Sequence, residues 1–147
     1  MRTAIPSEAD PAETRFVEMV FPEHANHYGT LFGGMALSLM GKAAFVAASR
    51  HARCPVVMAR SDRIAFDEPV RVGELIELVA RVVRSGSSAM TVAVDMIRED
   101  LLSGQRTAAV RGTFEMVAVN ASGRPVRIPK SKTETKTISR ADKETVS

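Results

Sequence analysis

The sequence predicts an α+β fold, one antiparallel sheet wrapped around a single long helix. Three observations carry this. Residues 34–51 are mostly Ala, Leu, Met, Ser and Phe, with Lys42 as the one charge before Ser49, which reads as a helix apolar nearly all round and therefore buried. From Pro55 onward the apolar period switches to two and stays there. The breaks between the alternating runs are short and rich in Gly, Ser and Pro, so consecutive strands should lie antiparallel.

Taken in order, residues 1–14 hold two prolines, three acids and no apolar period, and are expected to form a flexible arm. Arg15–Phe21 sets Phe16, Glu18 and Val20 against Val17 and Met19, a short first strand. A polar loop, Pro22–Gly33, leads into the helix, which would be about 27 Å long at 1.5 Å per residue. Ser38, Gly41, Lys42 and Ser49 interrupt it well short of the ~20 clean apolar residues of a membrane span. Val56, Met58, Ile64 and Phe66 then share a parity that Arg60 and Asp62 interrupt. Ile76, Leu78, Ala80 and Val82 mark one face of the next strand, and Met90, Val92, Val94 and Met96 that of its successor. Val110, Phe114, Met116 and Ala118 repeat the pattern with Gly112 among them. Glu77, Arg81, Thr91, Asp95, Arg111 and Glu115 occupy the opposite parities, the pattern of a sheet with one covered and one wetter face. Such a sheet leaves an edge strand without a partner, so an obligate homodimer with joined edges is expected. Residues 130–147, rich in Lys, Thr, Ser and Glu, are expected to be a flexible polar tail.

Composition narrows the function. The 147 residues are 45% hydrophobic and 25% charged, which excludes a disordered chain and a membrane bundle. A chain of this length buries roughly two-thirds of its unfolded surface and needs neither metal nor disulfide to fold. Its single cysteine, Cys54, excludes an intramolecular disulfide and a cysteine-rich zinc site, and with no secretory leader in view the expected compartment is the cytoplasm. The formal charge of +3 is spread along the strands, and none of the seven aromatics interleaves with a basic run, so no nucleic-acid partner is expected.

Most standard motifs fail. Gly41-Lys42 lacks the first glycine of a P-loop, where Ala36 stands, and is followed by Ala43. Ser38 lacks the flanking glycines of a nucleophile elbow. His24 and His27 share a loop and read as surface histidines before they read as a metal pair. What remains is the polar segment Pro22–Gly34, which feeds directly into an apolar helix. The first turn of such a helix exposes unpaired N–H groups that could stabilise the oxyanion of acyl transfer. Gly33 and Gly34 would admit a ligand close to the backbone or, equally, serve a turn that needs positive φ.

Over residues 15–129 the sequence resembles the hotdog-fold acyl-CoA thioesterases of the brain-type acyl-CoA hydrolase group. The resemblance rests on Pro22, Asn26, Gly29 and Phe32-Gly33-Gly34, on Phe66, Pro69-Val70 and Val72-Gly73-Glu74, on Gly86-Ser87-Ser88-Ala89-Met90, and on Phe114, Val117-Ala118-Val119, Gly123-Arg124-Pro125 and Pro129. It implies hydrolysis of acyl-CoA to CoA and a free acid without a separate cofactor, CoA being part of the substrate. It also implies a homodimer with shared active sites, in many members assembled as a trimer of dimers. Asn26 would orient water and substrate, backbone amides around Gly33, Gly34 and Met35 would polarise the thioester carbonyl, and Gly86, Ser87 and Ser88 would lie against CoA.

Position 41, in the second helical turn, is where the resemblance implies a carboxylate supplied to the partner's site as general base or nucleophile. The residue is Gly41, which can do neither, and glycine costs roughly 1 kcal/mol relative to alanine inside a helix. Three readings are open: a substitution introduced to disable turnover, a natural homologue that binds acyl-CoA and hydrolyses it poorly, or takeover by another acid such as Asp62 or Glu23. Met58 likewise stands where the resemblance implies threonine. The Gly86–Ala89 turn lacks the arginine that the resemblance implies would meet a phosphate; Arg60, Arg63, Arg84, Arg124 and Lys130 could supply charge for CoA instead, though each reads first as part of a solvated strand face. The expectation is a hydrolase with impaired turnover; the alternative is a non-catalytic acyl-CoA-binding protein.

Overall fold

A computed structural model describes residues 13–129. Strand β1 (Glu13–Met19) is followed by a single 3-10 turn at Pro22–His24, helix α1 (Gly33–Ala52), and strands β2 (Val56–Phe66), β3 (Leu75–Ser85), β4 (Ala89–Glu99) and β5 (Arg106–Ala118). All strand pairs are antiparallel, in the order β1-β3-β4-β5-β2. The strand that follows the helix therefore lies at the far edge from the strand that precedes it. The expected arm ends earlier than residue 14, because Glu13 and Thr14 already pair with Arg81 and Ala80. The rest of that arm, and the tail from Lys130, lie outside the described residues.

The helix packs on the sheet through small side chains. Ala36, Ala43, Ala44, Ala47 and Ala48 are all buried and let the helix backbone sit close to the strands. The bulk comes from the sheet: Ile76, Leu78, Met90, Val92, Val94, Met96, Phe114 and Met116 close the core around Met40. Truncating a side chain such as Phe114 to alanine would cost about 3–5 kcal/mol. The helix ends at Arg53, whose left-handed backbone (φ 52°) lets its N–H reach the Ser49 carbonyl, and Pro55 prevents continuation.

Complete burial of the helix is not what one chain achieves. The sheet covers one side only, and Leu37, Ser38, Lys42 and Phe45 face solvent, Phe45 at 48% exposure. The apolar residues on that open side are the part of the helical pattern a single copy leaves uncovered.

Strand β2 explains its own broken parity. The ladder to β5 slips once between Met58 and Arg60 and again between Asp62 and Ala65, where Arg63 takes φ 53°. Met58 stands opposite Met116 on the helix side of the sheet, whereas Arg60 and Asp62 stand opposite Glu115 and Thr113 on the outer side. The second slip returns Phe66, opposite Val110, to the helix side. The outer face carries the charges. Glu77 pairs with Arg15 and Arg106, and Glu13 with Arg15 and Arg81, half-exposed contacts of at most about 1 kcal/mol each.

Candidate active site

Asn26 organises the loop that delivers the chain to the helix. Its Oδ1 accepts from the Tyr28 N–H at 2.9 Å, the Thr30 N–H at 3.3 Å and the Thr30 hydroxyl at 3.2 Å. With the carbonyl fully engaged, the Nδ2 amide is the end of the side chain left to donate, and it makes no hydrogen bond among the described residues. Gly29 supplies the one left-handed position of this turn, φ 80°, and its N–H meets the Asn26 carbonyl. The loop then folds back, the Phe32 N–H reaching the His24 carbonyl at 2.9 Å and the Leu31 N–H the Val70 carbonyl at 2.7 Å.

The helix begins without a cap. Phe32 at the N-cap offers no side-chain acceptor, no acid lies in the first turn, and the first intrahelical bond runs from Ala36 N–H to Phe32 carbonyl. The amides of Gly33, Gly34 and Met35 precede that bond, so within the helix they are donors without acceptors. Gly33 and Gly34 are not among the positive-φ residues, which removes the turn explanation for both. Space constrains Gly34, where a β-carbon would meet the Phe32 ring at 2.6 Å, but not Gly33, where a β-carbon would sit in ordinary contact with the Phe66 ring at 3.8 Å.

A cavity of about 250 Å³ opens at this end of the helix, lined by Leu31, Gly33, Ala36, Phe66 and Val70 with Asp67 and Glu68 beside them. Sequence reasoning did not single out Phe66, Asp67 or Glu68 as site residues; the signal was there, an apolar strand running into an Asp-Glu-Pro turn. Asp67 is held by Arg111, whose Nε and Nη2 donate to one carboxylate oxygen at 3.2 and 3.1 Å. Asp62 does not approach the helix, since it lies on the outer face opposite Thr113. Glu23 sits exposed in the 3-10 turn. His24 is spent locally, its Nδ1 accepting from the Phe21 N–H, and the His27 ring lies 4.0 Å from that of Tyr28. Among the described residues no group of three or more His, Cys, Asp or Glu could hold a metal.

The remaining candidates are dispersed. Because the helix starts at Gly33, Gly41 falls just past its second turn rather than within it, about 12 Å along the axis from the first amide. It is buried, and beyond its own helix backbone the one atom among the described residues within 4 Å of a β-carbon there would be the Met58 methyl, at 3.1 Å. The Gly86–Ser88 turn joins β3 to β4 at the other end of the helix, where His51 Nε2 lies 3.2 Å from Ser85 Oγ. Its carbonyls are engaged, Ser87 by the Ile128 N–H and Ser88 by the Ala118 N–H. A twenty-residue helix spans about 30 Å, so one chain does not bring Gly86–Ser88 to Asn26 and the Gly33–Met35 amides.

One long helix laid on a five-stranded antiparallel sheet, with its start open to a cavity, defines a protein of the hotdog class. A profile of the thioesterase superfamily matches residues 28–104, just over half of the chain, which belongs to that family. YkhA of Bacillus subtilis, described as an uncharacterized acyl-CoA thioester hydrolase, is 34% identical over 131 residues, covering 84% of this chain and 76% of that one. An apo-hexameric acyl-CoA thioesterase superposes with a TM-score of 0.78 at 33% identity, over 92% of this chain and 90% of the other. An acyl-CoA hydrolase of Staphylococcus aureus gives TM-scores of 0.76 to 0.77 at 25% to 26% identity, over 92% of this chain and 88% to 91% of its own. Its solved structures include a complex with butyryl coenzyme A, coenzyme A and coenzyme A disulfide, and separate variants with an aspartate or a threonine replaced by alanine. No helix among the described residues is long and apolar enough to cross a membrane.

Proposed function

We propose that this chain is an acyl-CoA hydrolase of low turnover, with Gly41 in place of the carboxylate that would activate water. The observation that carries the reading is the uncapped helix start beside Asn26. Three backbone amides without acceptors at the helix start, and the free Asn26 Nδ2 on the loop that leads into it, are the donors that would meet the negative charge developing on a thioester carbonyl. The chemistry draws on those donors and water, CoA entering with the substrate, so no separate cofactor is required. Without a base at position 41 the water must attack unassisted, which forfeits about 10²- to 10⁴-fold in rate.

The reading that position 41 has lost a carboxylate is supported by a spacing. In the S. aureus hydrolase the aspartate and threonine exchanged for alanine are separated by the same number of residues as Gly41 and Met58 in this chain. Here Met58 lies over Gly41, its methyl 3.1 Å from where a β-carbon would be, and the pair offers neither a carboxylate nor a hydroxyl. The same contact favours the second reading, an acyl-CoA-binding protein that does not hydrolyse its ligand.

The working unit in this reading is a homodimer with shared sites, built up to a hexamer as in the hexameric relative. Its support is the separation of Gly86–Ser88 from the helix start, together with the open apolar side formed by Leu37, Phe45, Met58 and Phe66. A chain with one free cysteine makes no demand for an oxidising compartment, in keeping with the cytoplasm.

CoA release across a panel of acyl chain lengths, from the parent and from Gly41→Asp, tests this, with binding of a CoA ester followed by calorimetry. Slow release by the parent and a rise of at least tenfold in Gly41→Asp is the expected result. Tight binding with no release from either protein would establish the binding-only reading, and absence of binding would remove both.

A further inference from the structure

We infer that Arg98 on β4 is a positioning residue for the Asn26 loop, which it holds through the main chain of the β2–β3 connection. The inference rests on the reading that Asn26 meets the thioester, and it names what keeps that side chain in place.

Arg98 stands where the alternation of β4 asks for an apolar side chain. Met90, Val92, Val94 and Met96 are all buried on the helix side of the sheet. Arg98 continues their parity and lies opposite Ile76, itself buried, so it shares that face. A guanidinium there needs acceptors, or its partial burial goes uncompensated. The β2–β3 connection, residues 67–74, supplies them. Nη1 donates to the Pro69 carbonyl at 3.1 Å and lies 3.7 Å from Glu74 Oε1, while Nη2 lies 3.9 Å from Glu68 Oε2.

Other bonds pin the two ends of this connection. The Asp67 and Glu68 N–H groups both reach the Ala109 carbonyl, the Gly73 N–H reaches the Val20 carbonyl, and the Val20 N–H returns to the Glu74 carbonyl. Between them Pro69 has no N–H to give, and its carbonyl goes to Arg98. Glu74 Oε1 also accepts from the Arg71 N–H at 2.7 Å, which draws the far side of the same stretch toward the guanidinium. The Asn26 loop rests on this middle stretch. The Leu31 N–H donates to the Val70 carbonyl at 2.7 Å, the Val72 N–H to the Gly29 carbonyl at 3.1 Å, and Thr30 bridges to Arg71. Thr30 in turn donates to Asn26 Oδ1 through both its N–H and its hydroxyl. A charge-assisted bond at Pro69 thus fastens the chain one residue before the carbonyl that carries Leu31.

Arg98→Met keeps the apolar stem and removes the donors, and Arg98→Lys restores a cation. Amide exchange on the full chain is the first readout. In Arg98→Met the Leu31 and Val72 N–H groups should exchange roughly tenfold or more faster than in the parent, with Val94 at the centre of β4 within about twofold. Arg98→Lys should recover most of that protection. Steady-state CoA release is the second readout. For Arg98→Met, kcat should fall about tenfold at a KM within about twofold of the parent value, the split expected when a transition-state donor is displaced. Unchanged exchange at Leu31 and Val72, equal acceleration at Val94, or an Arg98→Lys variant no better than Arg98→Met would overturn the assignment. A parent-like kcat in a variant whose loop exchanges faster would overturn it too. The expected exchange pattern with no CoA release from the parent or from Gly41→Asp would remove the hydrolase reading and leave the hold of Arg98 on the loop standing.

Discussion

The terminal methyl of Met58 on β2 stands 3.1 Å from the point that a β-carbon would occupy on Gly41 of α1. A methionine end is flexible, so it can yield by the few tenths of an ångström a small side chain at position 41 would need. The glycine is therefore sterically replaceable, and what its replacement does becomes a chemical question.

Gly41→Ala should stabilise the fold. The helix gains up to about 1 kcal/mol in propensity, less the cost of moving Met58, for a net gain of about 0.5 kcal/mol in urea denaturation. In a Met58→Ala background the same change should reach the full propensity gain. A loss of stability there would mean that something other than Met58 demands the glycine.

In a Gly41→Asp background, Met58→Thr should raise CoA release a further tenfold, because a hydroxyl beside a carboxylate provides a charge-assisted hydrogen bond worth about 1.5–3 kcal/mol. Met58→Thr in the parent should leave release unchanged. An equal rise in both backgrounds would show that position 58 acts without position 41.

Asn26 has two separable duties. Asn26→Ala should lower stability by about 1–2 kcal/mol, since the Tyr28 and Thr30 N–H groups lose their acceptor. Asn26→Asp retains acceptor oxygens and should melt near the parent. Without the amide donor, however, CoA release in the Gly41→Asp background should fall about a hundredfold. Parent-like release from Asn26→Asp would confine the residue to shaping the loop.

Gly112 makes room for Ile64, whose Cδ1 fills the space a β-carbon would need. Gly112→Ala should cost about 1–3 kcal/mol by overpacking. Ile64→Ala should relieve most of that penalty in the double variant, and strictly additive losses would contradict the contact.

At the tip of the β4–β5 hairpin, the N–H groups of Ser103 and Leu102 hold the Asp100 carboxyl below its usual range. A carboxylate with a depressed folded-state pKa adds stability that is complete above the ordinary carboxylate range and fades as pH falls through the depressed value. The advantage of the parent over Asp100→Asn in thermal melts should vanish in that acid window. A pH-independent difference would show that the charge plays no part.

The alternation of β3, β4 and β5 and the small-residue helix were legible because each is a local repeat whose period matches a single backbone geometry. The loop carrying Asn26 and the donors at Gly33–Met35 were legible for a similar reason, a polar segment running straight into an apolar helix. Tertiary structure alone decided the rest. It placed β2 at the edge beside β5, and two one-residue slips in that ladder turned Arg60 and Asp62 outward from an otherwise unbroken parity. It set Met58 over Gly41 and carried Gly86–Ser88 a helix length away from Asn26. Such relations join residues far apart in the chain, and they follow from which surfaces pack together rather than from any repeat along the backbone.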